Sequence, residues 1–170
     1  MNSPAKKLLS IVVPVYNEES NVQPLYDAVS QVLEPLSDRY AWEFVFTDNH
    51  STDETFTLLE RLADLDPQVR VLRFSRNFGH QRSILAAYAH ARGDAAIQID
   101  CDLQDPPELI PQFVALWEQG YKVVFGVRLS RKERWWLNGM RKLFYRFINL
   151  LSDDDLPLDA GDFRLIDRQV

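Results

Sequence analysis

The run Ala95-Ala96-Ile97-Gln98-Ile99 gives way abruptly to Asp100-Cys101-Asp102-Leu103-Gln104-Asp105-Pro106-Pro107-Glu108. The first part is short and mostly apolar, the pattern of a buried strand. The second is acidic and leads into a helix start, where Pro107 suits the first turn because its missing N–H would have no intrahelical partner. In extended backbone, residues i and i+2 point the same way, so the carboxylates of Asp100 and Asp102 can face one small volume. Two carboxylates forced together repel unless a cation neutralises them. A hard divalent cation, Mg²⁺ or Mn²⁺, takes oxygen ligands and keeps coordination positions for phosphate oxygens. Asp100 and Asp102 are therefore the candidate metal ligands, and the chemistry they suit is stabilisation of a departing diphosphate. Asp105 and Glu108 add acids nearby, although a turn with Asp105 as helix N-cap explains them equally well. Cys101, between the acids, reads as a small buried hydrophobe.

Outward from this segment, short β-branched runs alternate with longer helical ones. Strands are expected at Leu9–Val15, Trp42–Thr47, Arg70–Phe74, Ala95–Ile99 and Lys122–Val127, and helices at Glu19–Leu33, Asp53–Ala63, Gln81–Ala91 and Pro107–Gln119. Ser51-Thr52-Asp53-Glu54 fits a capping box for the second helix, and Gly93 and Gly120 stand where helices should stop. Such alternation predicts one α/β domain with a mainly parallel sheet covered by helices on both faces. Ligands of these sheets bind at the carboxyl ends of strands. The polar sets Tyr16-Asn17-Glu18, Asp48-Asn49-His50, Arg76-Asn77-Phe78-Gly79-His80 and Asp100–Asp105 should thus converge on one edge.

The 170 residues suffice for one domain with a real core. A net charge of −6 argues against a nucleic-acid partner. The lone cysteine excludes an internal disulfide and leans towards a reducing compartment. The apolar run Leu8–Val15 is broken by Ser10 and Pro14, and no stretch approaches the ~18 apolar residues of a spanning helix. Charge is nevertheless uneven: Arg128, Arg131, Lys132, Arg134, Arg141, Lys142 and Arg146 face only Glu133 in their stretch. They interleave with Trp135, Trp136, Leu137, Met140, Leu143, Phe144, Phe147, Ile148 and Leu151 at helical spacing. This predicts a basic amphipathic helix over 128–151, lying in a membrane interface with its cations toward anionic phosphates; a helix packed on the domain is the blander option. Arg128 and Arg131 are candidates for gripping an acceptor or donor phosphate.

Five motifs carry a family resemblance. Ile11-Val12-Val13-Pro14-Val15-Tyr16-Asn17-Glu18 resembles the opening strand and loop of glycosyltransferase family 2, and Phe46-Thr47-Asp48-Asn49-His50-Ser51-Thr52-Asp53 its second-strand motif. Asp100 through Glu108, Arg76-Asn77-Phe78-Gly79-His80-Gln81 and Gly161-Asp162-Phe163-Arg164-Leu165 resemble the branch acting on polyprenyl phosphates, which holds bacterial prenyl-phosphate glucosyltransferases and dolichol-phosphate mannose synthases. The resemblance implies a GT-A, Rossmann-like domain over 1–170. It implies an inverting, metal-dependent hexosyl transfer from a nucleotide sugar, a UDP-hexose ahead of GDP-mannose, to a polyprenyl phosphate. Pro14, Tyr16, Glu18, Asp48, Asp100 and Gln104 would contact the donor nucleotide, Asp48 at its base or ribose. Asp102, with Asp100 close by, would hold the cation. Asp162 or Asp159 would sit near the acceptor as a candidate base, and His80 would contact a phosphate or shape the sugar pocket. Many family members carry an acid and a glycine where Asn49 and His50 stand.

By the same resemblance, the protein works at the cytoplasmic face of a membrane and is expected to continue into membrane helices, the present sequence being a truncation. A homo-oligomer is allowed. Two alternatives remain: a processive or soluble-acceptor transferase sharing the donor site, and a non-catalytic nucleotide-sugar-binding module. A dinucleotide-dependent oxidoreductase fits worse, since no G-x-G-x-x-G follows the first strand.

Overall fold

The computed structural model describes residues 6–127 and 160–170. Strand β1 (Lys7–Val15) is buried along almost its whole length, which is why its sequence is a continuous apolar run rather than an alternation. It pairs in parallel with β2 (Tyr40–Asp48) on one side and β4 (Ala95–Gln98) on the other, and β2 pairs in parallel with β3 (Val69–Arg73). The remaining strands, β5 (Val123–Val127) and β6 (Ala160–Asp167), complete a six-stranded sheet in the order β3-β2-β1-β4-β6-β5.

Strand β6 is the departure from expectation. It inserts antiparallel between β4 and β5, in a stretch where no strand was expected. Its alternation, with Phe163 and Leu165 buried between half-buried Asp162, Arg164 and Ile166, is that of a strand with one covered face.

Helices α1 (Val22–Leu33), α2 (Thr55–Leu65) and α4 (Ile110–Glu118) lie on one face. Helix α1 buries Val22, Leu25, Val29 and Leu33 at helical spacing against the main core, which includes Ile11, Val13, Phe44, Phe46, Ile97 and Leu165. Helix α3 (His80–His90) covers the opposite face over β1 and β2, packing Ala87 and Ala91 on Val12 and Val45.

Helix ends differ informatively from the sequence reading. Helix α4 follows a 3₁₀ turn, Pro107–Leu109, whose N-cap is Pro106 rather than Asp105. It stops as expected at Gly120 (φ +103°), with the Gly120 N–H on Trp117 O and the Tyr121 N–H on Leu116 O. Gly93 serves a different purpose from a helix stop. A Cβ there would lie 2.7 Å from Ala95 O and Ser10 N, so only hydrogen fits against β1. The capping box does not form either: α2 begins after Glu54 with no side-chain cap, because Ser51 is engaged with the loop after β1.

At the far edge of the sheet from the polar loops, buried Glu43 accepts hydrogen bonds from Ser10 Oγ (2.7 Å), the Arg92 N–H (2.7 Å) and Arg70 Nη1 (3.0 Å). Burial alone would raise its pKa, but these donors outweigh it and hold the carboxyl below the usual range.

Candidate active site

The carboxyl ends of β1, β2, β3 and β4 open on a cleft of about 380 Å³. Pro14, Val15, Tyr16, Glu18, Asn49, Asn77, Gly79, His80, Ser83, Asp100, Cys101 and Asp102 line it. All four polar loops therefore reach one edge, at the point where β1 has β2 on one side and β4 on the other.

One wall is formed by the loops after β1 and β2, which are sewn together. Ser51 Oγ accepts the Asn17 N–H (2.9 Å) and Thr55 Oγ1 accepts the Glu18 N–H (2.8 Å). In return Asn17 Oδ1 accepts the Thr52 N–H (2.9 Å) and Glu19 Oε2 the Glu54 N–H (3.0 Å). Asn17 takes a left-handed conformation (φ 57°) to make this turn, one that Asn tolerates better than most residues. Asp48 lies beneath, fully buried, accepting the Ser51 N–H (2.9 Å) and lying 3.3 Å from Arg73 Nε. It supports this wall from below and is not among the residues that line the cleft.

Asn49 is the residue the sequence reading undervalued. Its Oδ1 accepts the Phe78 N–H (2.8 Å) and its Nδ2 donates to Asn77 Oδ1 (2.9 Å), which also accepts the Gly79 N–H (2.9 Å). An amide, having both a donor and an acceptor, can clamp the loop that launches α3; a carboxylate could not. Ser83, one turn into α3 and buried, also lines the cleft; nothing in the sequence had singled it out.

The other wall is made by β4, β6 and the start of α3. The ladder ends with Gln98 paired to Arg164, and just beyond it Asp100 and Asp162 both come within 4 Å of His80. His80 Nε2 stands 3.8 Å from Asp100 Oδ1 and 3.9 Å from Asp162 Oδ2. One ligand atom from each of His80, Asp100 and Asp162 falls within a 4.8 Å cluster. Asp102 lies outside that triplet but on the same cleft, exposed, its Oδ1 accepting the Gln104 N–H (3.0 Å). Gln104 itself is exposed and is not among the lining residues. The turn after Asp102 places Leu103 at φ 57°.

Burial pushes the Asp100 carboxyl above its usual pKa; His80 opposes this, while Asp162, Asp105 and Asp102 reinforce it. Its Oδ1 is buried without a hydrogen-bond partner among the described residues. Acids crowded in this way, offering oxygen ligands to one space, fit a hard divalent cation. Cys101 is buried as expected, its thiol pushed far up by burial. Of the remaining expectations, Asp159, Arg128, Arg131 and the 128–151 helix lie outside the described residues. No described helix is long and apolar enough to cross a membrane.

A mainly parallel α/β sheet with clustered acids beside its switch point has the architecture of a GT-A domain. The family follows from comparison: the model of "Glycosyl transferase family 2" matches residues 10–170, and the chain belongs to that family. It is 43% identical over 162 residues to "Uncharacterized glycosyltransferase YkcC" of Bacillus subtilis (strain 168), covering 95% of this chain and 50% of that protein. It is 39% identical over 172 residues to the "Bactoprenol glucosyl transferase" of Shigella phage SfV, covering 95% and 52%. The chain spans about half the length of the curated relatives it matches. Among solved structures, glucosyl-3-phosphoglycerate synthase from Mycobacterium tuberculosis, in complex with Mn²⁺, uridine-diphosphate and phosphoglyceric acid, has a TM-score of 0.65 at 22% identity, over 96% of this chain and 56% of that one. Mannosyltransferase PcManGT from Pyrobaculum calidifontis, in complex with GDP-Man and Mn²⁺, also gives 0.65, at 20% identity over 98% and 46%. Both likenesses establish the fold.

Proposed function

We propose that this chain is the donor-binding catalytic domain of an inverting hexosyltransferase acting on polyprenyl phosphate at the cytoplasmic face of a membrane. The observation that carries the reading is the meeting of Pro14, Tyr16, Glu18, Asp100 and Asp102 on one cleft at the sheet's switch point. The relatives named bactoprenol glucosyl transferase support a polyprenyl acceptor and a glucosyl donor, for which a UDP-hexose is the donor we favour over GDP-mannose.

Tyr16 and Glu18 hold the nucleotide over the ends of β1 and β2, with Asp48 fixing the loop beneath it. Asp102 and Asp100 would hold a divalent cation, Mg²⁺ or Mn²⁺, with His80 and Asp162 as further candidate ligands; bound, it would take up charge on the diphosphate. An oxygen of the acceptor phosphate attacks the anomeric carbon from the face opposite the leaving group. The bond from that carbon to the diphosphate oxygen breaks, its electron pair leaves with the nucleoside diphosphate, and the configuration inverts. The acceptor asks little of a base, since a phosphate monoester has a second pKa near 6. Asp162 therefore serves mainly to place the acceptor, and Arg128 and Arg131 to hold phosphate.

The test is a donor panel with polyprenyl phosphate and Mg²⁺ or Mn²⁺, using the protein as its gene encodes it. Glycosyl-lipid should form from a UDP-hexose and disappear with Asp102→Ala. Donor binding without transfer from any nucleotide sugar would instead establish a non-catalytic module.

A further inference from the structure

Asp162 is held at the cleft from behind. Arg164 Nη2 lies 3.4 Å from Asp162 Oδ1, and Arg164 Nε donates to Gln98 Oε1 at 3.2 Å. Gln98, on β4, is fully buried, and the same Oε1 accepts the Tyr88 hydroxyl of α3 at 3.1 Å. We propose that Gln98 and Tyr88 are positioning residues that act through Arg164 to aim the Asp162 carboxylate at His80 and Asp100. The functional consequence rests on the transfer reading above; the positioning itself does not.

The register explains the arrangement. Gln98 and Arg164 are cross-strand partners, and Asp162 is two residues before Arg164 on the same face of β6. A guanidinium is a planar fork, so engaging its Nε with Gln98 and its Nη2 with Asp162 fixes its plane. Without Gln98 it is free to swing onto Asp162 in a bidentate pair or out to solvent, for Arg164 is about a third exposed. Two donors converging on Oε1 hold the carboxamide in a single orientation. Burial, offset by Arg164 and reinforced by Asp162, pushes the Tyr88 phenol up to about 12, so it remains a donor to Gln98 at any working pH. Glutamine is required rather than glutamate: a carboxylate at 98 would compete with Asp162 for Arg164.

The test compares Tyr88→Phe, Gln98→Met, Arg164→Lys and Arg164→Met with Asp162→Asn in the gene-encoded protein. Tyr88→Phe removes a single oxygen and keeps the ring, so it reports even where Gln98→Met folds poorly. Gln98→Met and Arg164→Met should lower kcat by about a hundredfold, the order that a 1 Å misplacement costs. Donor KM should stay within about twofold, and Arg164→Lys should recover part of the loss. Added to Asp162→Asn, they should cost nothing more. Independently of turnover, the ¹³C carboxyl resonance of Asp162 should shift in Tyr88→Phe and Gln98→Met. Losses that multiply with Asp162→Asn, or a resonance that does not move, would overturn the proposal. A wild type that transfers nothing would sink the transfer reading alone, leaving the resonance to judge the positioning.

Discussion

The loops after β1 and β2 are sewn to each other by hydrogen bonds of 2.8–3.0 Å from Asn17, Glu18, Thr52 and Glu54. Across the cleft, His80 faces Asp100 at 3.8 Å and Asp162 at 3.9 Å, beyond hydrogen-bonding distance. The first wall is finished by the chain itself, as a surface that receives a nucleotide should be, since preorganisation lowers the cost of binding. The second keeps crowded carboxylates, with one Asp100 oxygen lacking a hydrogen bond, that a cation would satisfy. Stability therefore resides mainly in one wall and chemistry in the other, and substitutions should separate the two.

The largest effect is expected from Asp102→Ala, with transfer falling about 10²–10³-fold, the scale of losing a group that stabilises developing charge. Thermal unfolding should barely change. Asp100→Asn should also lower transfer, by less than Asp102→Ala, yet raise the melting temperature in the absence of divalent cations. Its folded pKa is raised, so its stabilising contribution is complete below the unfolded value of about 3.9 and is lost as pH rises through the folded one. At neutral pH the ionised group is a standing cost that asparagine removes. Melting scans against pH in a chelator check this, and a lower melting temperature for the variant would count against it.

On the first wall, Asp48→Ala should destabilise by about 2–3 kcal/mol, since it strips a buried partner from the Ser51 N–H and from Arg73. Denaturant titration reads this directly. Asn49→Asp should cost about 1–2 kcal/mol and raise donor KM, because two oxygens would then oppose Asn77 Oδ1; an unchanged KM would show that the clamp does not serve the donor. The smallest effect lies away from both walls. The Trp117 indole N–H, with the Gln169 N–H and Lys122, holds Asp167 down at about 2. Its contribution is present above the unfolded value near 4 and fades as pH falls toward 2. Trp117→Phe should therefore move the acid-unfolding midpoint upward while leaving transfer at pH 7 intact.

Much of this was legible in the sequence, for physical reasons. The buried strand β1 and the amphipathic α1 announce themselves through local periodicity, and the paired acids follow β4 directly. What could not be read depends on pairing between distant segments. Strand β6 sits antiparallel to β4, so Asp162 meets Asp100 through a register fixed some 60 residues apart in the chain, which local patterns do not encode. The capping box misled because Ser51 had a better partner in the Asn17 N–H, a tertiary contact overriding a local preference. Asn49 read only as a departure from the usual acid, and it is the position of Asn77 that reveals why an amide suits the loop.

The most direct test of the division between the walls is calorimetric titration of a UDP-hexose, with and without Mn²⁺, into wild type, Asp102→Ala and Asn49→Asp. Mn²⁺ should tighten binding to wild type and to Asn49→Asp but not to Asp102→Ala, while Asn49→Asp should weaken binding with or without the cation. Equal tightening by Mn²⁺ in Asp102→Ala would contradict that division.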